Sequence, residues 1–465
     1  MSKVGQVDLT IFADKMRAEG LPEIAIRSFE RALRFVADGG TTTIPDQELE
    51  PIEGLRSMSE LAEFKAAGRE AASQAAVIKL NGGLGTSMGL ARAKSLLPIR
   101  TGRNFLDSIA EQILYQREAW GVDLPLVLMN SYRTRKDSLE ALSNYPTLAS
   151  SLPLDFVQHK VPRIDVESWR PVEWPANESL AWCPPGHGDL YIALVSSGML
   201  DALRERNIRY VFVSNADNLG AVLDPSILGW FATNELPFLM EVAERTEADK
   251  KGGHLARRKG RLILREVAQC PDSDLQSFQD IAKHRHFNTN NLWLDLEALA
   301  GMLERSPDGL PLAVIRNEKQ VDPKDAKSPR CYQLETAMGS AIDCFDGAAA
   351  IVVPRERFAP VKTTNDLLEL WSDAYSVAED GRMIPVDAAA KRDRVIDLDP
   401  RYFGSIDDLE SRFPEGAPSL ARCRRLTIRG DHRFGANVVI EGRVELVNDS
   451  PTPVTIEAGS LLSGE

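Results

Sequence analysis

Cysteine is scarce in this 465-residue chain: Cys183, Cys270, Cys331, Cys344 and Cys423 are odd in number, scattered, and form no C-x-x-C pair. A disulfide framework or a cysteine-rich zinc site is therefore excluded, and reduced thiols in a cytoplasmic protein are the expectation. Long apolar runs are lacking as well. The longest, such as Leu124–Met129, falls far short of a bilayer span, and the opening MSKVGQVDLT has no apolar stretch of the secretory kind. An excess of positive charge is also missing, since 55 Lys and Arg face 68 Asp and Glu for a net charge of −13. Such a field repels phosphate backbones, which argues against nucleic acid and anionic membranes as partners. Any phosphate must then be met by a few placed lysines, backbone amides and a divalent cation. What remains is an ordinary globular composition, 43% hydrophobic and 26% charged, long enough for about three domains and for a core that needs no staple.

Three stretches differ in pattern. Residues 1–70 read as a helical segment from about residue 8, with Ile26, Phe29, Leu33 and Val36 at helical spacing and Gly39-Gly40 as a stop. Such a segment serves as a cap packed on the main domain or, alternatively, as a partner-binding arm. Residues 71–385 alternate short apolar runs with amphipathic stretches. The runs 75–80, 124–130, 208–215 and 236–243 predict buried strands, and Asn104 with Asp107 predicts a helix start. This alternation predicts an α/β fold with a doubly wound, mostly parallel sheet, whose ligands lie at the carboxyl ends of the strands. In residues 386–465, Ile428, Phe434, Ile440 and Leu446 recur every six residues, as do Val438 and Val444, with Gly430, Gly435 and Gly442 at corners. A six-residue apolar period predicts a parallel β-helix, interrupted at Pro451–Pro453, with a core of its own. An ordinary pair of β-hairpins is the alternative.

The segment VIKLNGGLGTSMGLARAKS (77–95) carries the strongest chemistry. A strand ends at Leu80, and Gly82, Gly83, Gly85 and Gly89 then surround Thr86 and Ser87, with Lys94 beyond. Glycines let backbone N–H groups approach a phosphate closely, and a lysine adds a point charge. Neither the dinucleotide G-x-G-x-x-G pattern nor the Walker pattern fits, because both require a glycine at Met88. Asp217 follows the apolar run YVFVS at a strand's carboxyl end, where one carboxylate plus phosphate oxygens is a usual Mg²⁺ arrangement; a plain Asp-Asn turn is the alternative. His187 lies between Gly186 and Gly188 without a second histidine or cysteine at ligand spacing, so metal ligation there is not expected. Asn288, Asn290 and Asn291 crowd one strand start. His284 and His286, at i, i+2 on one side of a strand, read as surface or packing residues.

With LNGGLGTSMG and Lys94 come WCPPGHGDLY (182–191), VFVSNADNLGA (211–221), MEVAERTEADKKGG (240–253), FNTNNLW (287–293), QLETAMGSAI (333–342) and PVKTTNDLL (360–368). In this order they resemble the blocks of the eukaryotic-type UTP–glucose-1-phosphate uridylyltransferase family. The resemblance implies a Rossmann-like nucleotidyltransferase domain and a C-terminal left-handed β-helix. It implies a nucleotide site at Leu80, Asn81, Gly82, Gly83, Lys94, Gln158, Gly186, Gly188, Asn215, Asp217 and Lys362, with Gln158 reading uracil. It also implies His187 and Asn290 at the sugar phosphate, Asp217 on Mg²⁺, and Lys94 and Lys362 as catalytic cations. Two departures stand out. The family commonly has Cys-Lys-Gly-Pro where this chain has Leu90-Ala91-Arg92-Ala93, and Val157 and His159 differ around the glutamine.

The implied reaction joins UTP and glucose 1-phosphate into UDP-glucose and pyrophosphate by direct in-line attack, since no residue set suggests a covalent nucleophile. Galactose 1-phosphate or N-acetylglucosamine 1-phosphate is an alternative substrate. A catalytically silent nucleotide-sugar sensor is a further alternative, but it would be expected to have lost Lys94, Asp217 or Lys362. Self-association through the β-helix is a further expectation; because the chain ends at Glu465, earlier than eukaryotic members, an octamer built through that end is not expected.

Overall fold

A computed structural model describes residues 7–99, 102–150, 152–387 and 394–464. The first six residues of the N-terminal segment and residues 388–393, just past the expected boundary at 385, lie outside the described residues.

The central sheet contains β1 (Ala75–Asn81), β2 (Leu126–Asn130), β3 (Asp155–Val157), β4 (Tyr210–Asn215), β5 (Phe238–Glu244), β6 (His254–Arg258), β7 (Arg261–Arg265), β8 (His286–Asp295) and β9 (Ala349–Val352). Its order is β7-β6-β8-β4-β1-β2-β3, with β5 paired to β8 and β9. The four apolar runs expected to be strands are β1, β2, β4 and β5. Alternate residues point to opposite faces. Val77, Leu126, Leu128 and Phe212 enter one apolar layer, and Ala76, Ile78, Val127, Met129, Val211 and Val213 the other. Helix α4 (Phe105–Trp120) packs in the first layer and α6 (Leu190–Ser196) in the second. Helices on both faces make this an α/β fold, as the alternation predicted.

The sheet is mixed, which corrects the expectation of a mostly parallel one. Strands β3, β2, β1 and β4 run parallel, but β8 enters antiparallel to both β4 and β5, and β6 and β7 form a hairpin. The hairpin turn explains part of this. Lys259 and Gly260 have φ of 50° and 81°, the two left-handed residues of a two-residue turn that can only join antiparallel strands. The residues Asn288, Asn290 and Asn291 lie within β8 rather than at its start, on an irregularity of the β5–β8 ladder where Asn290 has φ 59°.

Helix α4 is capped reciprocally by Asn104 and Asp107, as the sequence predicted, and closes on Gly121 at φ 65°. The N-terminal segment is helical only in part: α1 (Leu9–Ala18), α2 (Glu23–Ala37) and α3 (Lys65–Ala71) are joined by irregular chain with short 3-10 turns. Pro45, Pro51, Gly54 and the run Thr41-Thr42-Thr43 disfavour a continuous helix there. Ile26, Phe29, Leu33 and Val36 are buried with Val161, Trp182, Cys331 and Leu334, each such burial contributing roughly 1.5–3 kcal/mol.

The tail contains β10 (Val395–Leu398), β11 (Cys423–Arg429), β12 (His432–Phe434), β13 (Val439–Val447), β14 (Val454–Ile456) and β15 (Leu461–Gly464). Strands β10-β11-β13-β15 form one parallel sheet and β12-β14 a second. Ile428 faces Leu446 across 18 residues, whereas Phe434 faces Ile456 across 22, the longer step spanning the Pro451–Pro453 interruption. Gly430 and Gly442 have positive φ, and a Cβ on either would lie 1.9 Å from a carbonyl oxygen of the next layer. Among the described residues the tail has no separate core, contrary to expectation. Phe403, Leu426, Ile428 and Ile440 share one apolar cluster with Phe105, Leu367 and Leu368, because the amphipathic helix Thr364–Trp371 lies between the two regions.

Candidate active site

Strands β1, β2 and β4 end in register, with Leu80 beside Met129 and Asn215, and Asn81 beside Asn130. The loops beyond these ends enclose a cavity of about 410 Å³ lined by Leu80, Asn81, Gly82, Gly83, Lys94, Gln158, Gly186, His187, Asn215 and Asp217, among others. Most of the residues anticipated as nucleotide ligands are thus brought together. The Asn81 amide is turned into the protein, donating to Asn130 Oδ1 at 2.7 Å and Ser138 Oγ at 2.8 Å, so it fixes the strand end.

The glycines of this wall differ in purpose. A Cβ at Gly82 would lie 2.7 Å from Gln158 Nε2, so its lack of a side chain seats the glutamine. At Gly83 nothing lies within 4 Å of an added Cβ, which leaves the backbone open to the cavity. Gly186, at φ 81°, and Gly188 are required by close packing on Thr336. The loop 83–94 is self-tied through Gly85 N–H to Arg92 O and Lys94 N–H to Gly83 O. The Arg92 side chain leaves toward Asp137, on α5 (Arg135–Leu142), at 3.7 Å.

Lys94 Nζ lies 2.6 Å from Asp217 Oδ2, while Asp217 Oδ1 is buried without a hydrogen-bond partner among the described residues. An orphaned buried carboxylate oxygen beside open space suits a hard cation. The His187 ring is half-buried, and its Nδ1 accepts from Met338 N–H at 3.0 Å. That bond places its proton on Nε2, and withdrawal of the ring from water pushes its pKa down to about 4, so it is a neutral donor.

Lys362 lies elsewhere. Its exposed side chain lines a second cavity of about 500 Å³, with Thr246, Asp249, Arg355 and Asp366. The two cavities meet at a short ladder in which Asn218 bridges Pro360 and Val361 N–H donates to Asp217 O at 3.3 Å. Asn290 lines neither of these two cavities; it exchanges hydrogen bonds with Asn288 at 2.9 Å.

Beneath the ladder is a buried charged cluster that sequence reasoning missed. Arg357 meets Glu241 through two bonds of 2.6 and 2.8 Å, and Asn291 and Trp293 also donate to Glu241, both at 3.0 Å. Asn218 Nδ2 donates to Arg357 O at 2.9 Å and its Oδ1 accepts from Ala359 N–H at 3.0 Å. Lys79 is fully buried and donates to Ser214 Oγ and Ala221 O, and desolvation pushes its pKa down to about 7. The available signals were a lone lysine in VIKLN and a lone glutamate in LPFLMEVA. His284 and His286 are buried packing residues rather than surface ones. His284 precedes β8, stacks on His254 at 3.8 Å and meets Asp46 at 3.1 Å, so the two are not on one side of a strand.

The sequence pattern of the family described as UTP–glucose-1-phosphate uridylyltransferase matches residues 26–441. The chain belongs to that family. It is 37% identical over 436 residues to the UTP–glucose-1-phosphate uridylyltransferase of Encephalitozoon cuniculi, covering 94% of this chain and 85% of that protein. With the Solanum tuberosum enzyme of the same name it shares 38% identity, over 91% of this chain and 86% of that one. The solved UDP-glucose pyrophosphorylase of Leishmania major superposes with a TM-score of 0.91 at 42% identity, over 98% of both chains. UDP-glucose phosphorylase of Trypanosoma brucei gives 0.89 at 44% identity, again over 98% of both.

Proposed function

We propose that this chain transfers the uridylyl group of UTP to glucose 1-phosphate, releasing pyrophosphate and forming UDP-glucose reversibly. The observation that carries the reading is the convergence of Lys94, His187 and Asp217 with the bare backbone of Gly83 in one cavity. Gln158, seated on Gly82, offers uracil a donor and an acceptor together. A phosphate oxygen of the sugar attacks the α-phosphorus, the bond from that phosphorus to the bridging oxygen breaks, and pyrophosphate leaves with the electron pair. No covalent intermediate with the chain is involved. Catalysis is then positioning and charge stabilisation. Lys94 binds the β- and γ-phosphates, neutral His187 donates from Nε2 toward phosphate or sugar oxygens, and Lys362 meets charge at the α-phosphate from the adjoining cavity. The family resemblance gives Asn290 to the sugar hydroxyls, although here it lines neither cavity and is bonded to Asn288. Asp217 fits Mg²⁺ through its orphaned oxygen, and the ion would supply neutralisation of phosphate charge.

A pyrophosphate-release assay across UTP, CTP, ATP, dTTP and GTP with glucose, galactose and N-acetylglucosamine 1-phosphates tests the reading. UTP with glucose 1-phosphate should lead. Equal turnover of CTP would remove Gln158 from the base site, and preference for another sugar phosphate would transfer the activity to that sugar.

The tail, 386–465, is read as a left-handed β-helix, supported by parallel strands one coil apart at 18 or 22 residues. On the same reading 1–70 caps the catalytic region 71–385. Exposed Val447 and Leu461 on the tail support self-association, which Val447→Asp with Leu461→Asp should weaken in sedimentation measurements. A cytoplasmic location is supported by five free thiols, three of them buried. Among the described residues no helix is long and apolar enough to cross a membrane.

A further inference from the structure

His159, one of the two departures beside the glutamine, is held by two groups, the Asp189 carboxylate and the Ser196 hydroxyl. Its main-chain N–H donates to Asp189 Oδ2 at 2.6 Å, its ring Nδ1 lies 2.9 and 3.0 Å from the two Asp189 oxygens, and Ser196 Oγ lies 2.9 Å from Nε2. A carboxylate only accepts, so Nδ1 carries the proton, and the Ser196 hydroxyl serves Nε2. Both members of the pair are buried, at 9% and 4% exposure. Asp189 directly follows Gly186-His187-Gly188 and opens α6, which is anchored through Leu190, Tyr191 and Leu194 and through Tyr191 Oη to Met338 O at 2.7 Å. Gln158 is in turn fixed on its other side, where its N–H donates to Asn130 O at 2.8 Å.

The order Ser196–His159–Asp189 is that of a nucleophile triad, but the surroundings oppose that use. Ser196 is the last residue of α6, where the backbone presents carbonyl oxygens rather than the N–H donors an oxyanion needs. The geometry points instead to a positioning role: His159 and Asp189 form a clamp joining the two loops that wall the base pocket, and so set where Gln158 meets the uracil edge. This rests on the proposed UTP specificity of the cavity. The clamp acts on the base, since Lys94 and Asp217 belong to other loops and His187, though on the Asp189 turn, is held separately by Met338 N–H at Nδ1.

Steady-state kinetics on the full chain with UTP, CTP and glucose 1-phosphate test it, with thermal melts to check folding. His159→Leu removes both ring contacts; KM for UTP should rise about ten-fold and the UTP-over-CTP preference fall about as much, with kcat changed less than about two-fold. His159→Asn keeps a donor where Nδ1 stood and should restore most of the preference. If His159→Leu does not fold, Ser196→Ala loosens the ring from the surface, and a shift of about two- to three-fold in the same ratio is expected. With wild type preferring UTP, an unchanged ratio in the folded variants, or a KM rise shared equally by glucose 1-phosphate, would overturn the clamp. Wild type that uses CTP as well as UTP would overturn the base-pocket reading itself and the clamp with it.

Discussion

On the parallel side of the sheet, β1, β2 and β4 stop together and the loops beyond their ends make the cavity wall: Gly82, Gly83, the Gly186–Gly188 turn and a few side chains seated on these glycines. On the other side, where β5 and β8 run antiparallel, the loop carrying Lys362 is fastened from below by Glu241, Arg357, Asn218 and Asn291. One half presents open backbone to its cavity; the other carries the exposed Lys362 above a base of buried charge. The difference teaches that two cavities proposed to share one reaction need not share a construction, and that they should fail differently when altered.

The largest effect should come from the charged base. Arg357→Met strands the Glu241 carboxylate in the core, and losing one partner of a buried pair typically destabilises by about 3–5 kcal/mol. Chemical denaturation would measure it, and a change below about 1 kcal/mol would mean the cluster does not hold this half together. Next come the groups proposed to face phosphate. Asp217→Asn keeps shape and folding but should lower activity on the order of 10²–10³, as should Lys362→Met. Lys94→Met should in addition weaken UTP and pyrophosphate binding, because the phosphates it meets are charged before and during reaction, whereas Lys362→Met should act on kcat. A Lys362→Met variant within a few-fold of wild-type kcat would separate the second cavity from the chemistry.

Much of the parallel half was legible. Strand runs around 75–80, 124–130 and 208–215, the glycine pattern and the Asn104–Asp107 cap are local features, each written in neighbouring residues. The six-residue period of the tail was also local, down to the proline interruption that lengthens one step from 18 to 22 residues. What escaped depends on pairing across distance. Nothing near Glu241 announces a partner 116 positions later, and nothing near His159 announces Asp189 thirty residues on. The antiparallel insertion of β8 escaped for the same reason, since strand direction is set by which neighbours are met and not by the strand's own composition.

The smallest effect is expected from pH. His187 has its folded pKa near 4, below the ordinary value of about 6.5. The unfolded chain therefore takes up this proton first as pH falls, so the group's contribution to stability is intact above about 6.5 and is lost as the pH drops toward 4. Across pH 6–8 the ring keeps one protonation state, and kcat should show no inflection near 6.5 from this group. An inflection there that vanishes in His187→Asn would contradict a neutral donor.

The bond between Lys94 and Asp217 has a consequence for selectivity. With the two at 2.6 Å, each is the other's counter-ion in the free protein. A stray anion finds the ammonium engaged, and a lone cation finds half of the carboxylate engaged. Either one entering by itself must leave an opposite charge bare in a partly dry cleft. A visitor that brings both signs at once can exchange partners with the pair and leave nothing uncompensated. On the proposed reading of the cavity, the closed pair would admit a chelated polyphosphate more readily than either of its components.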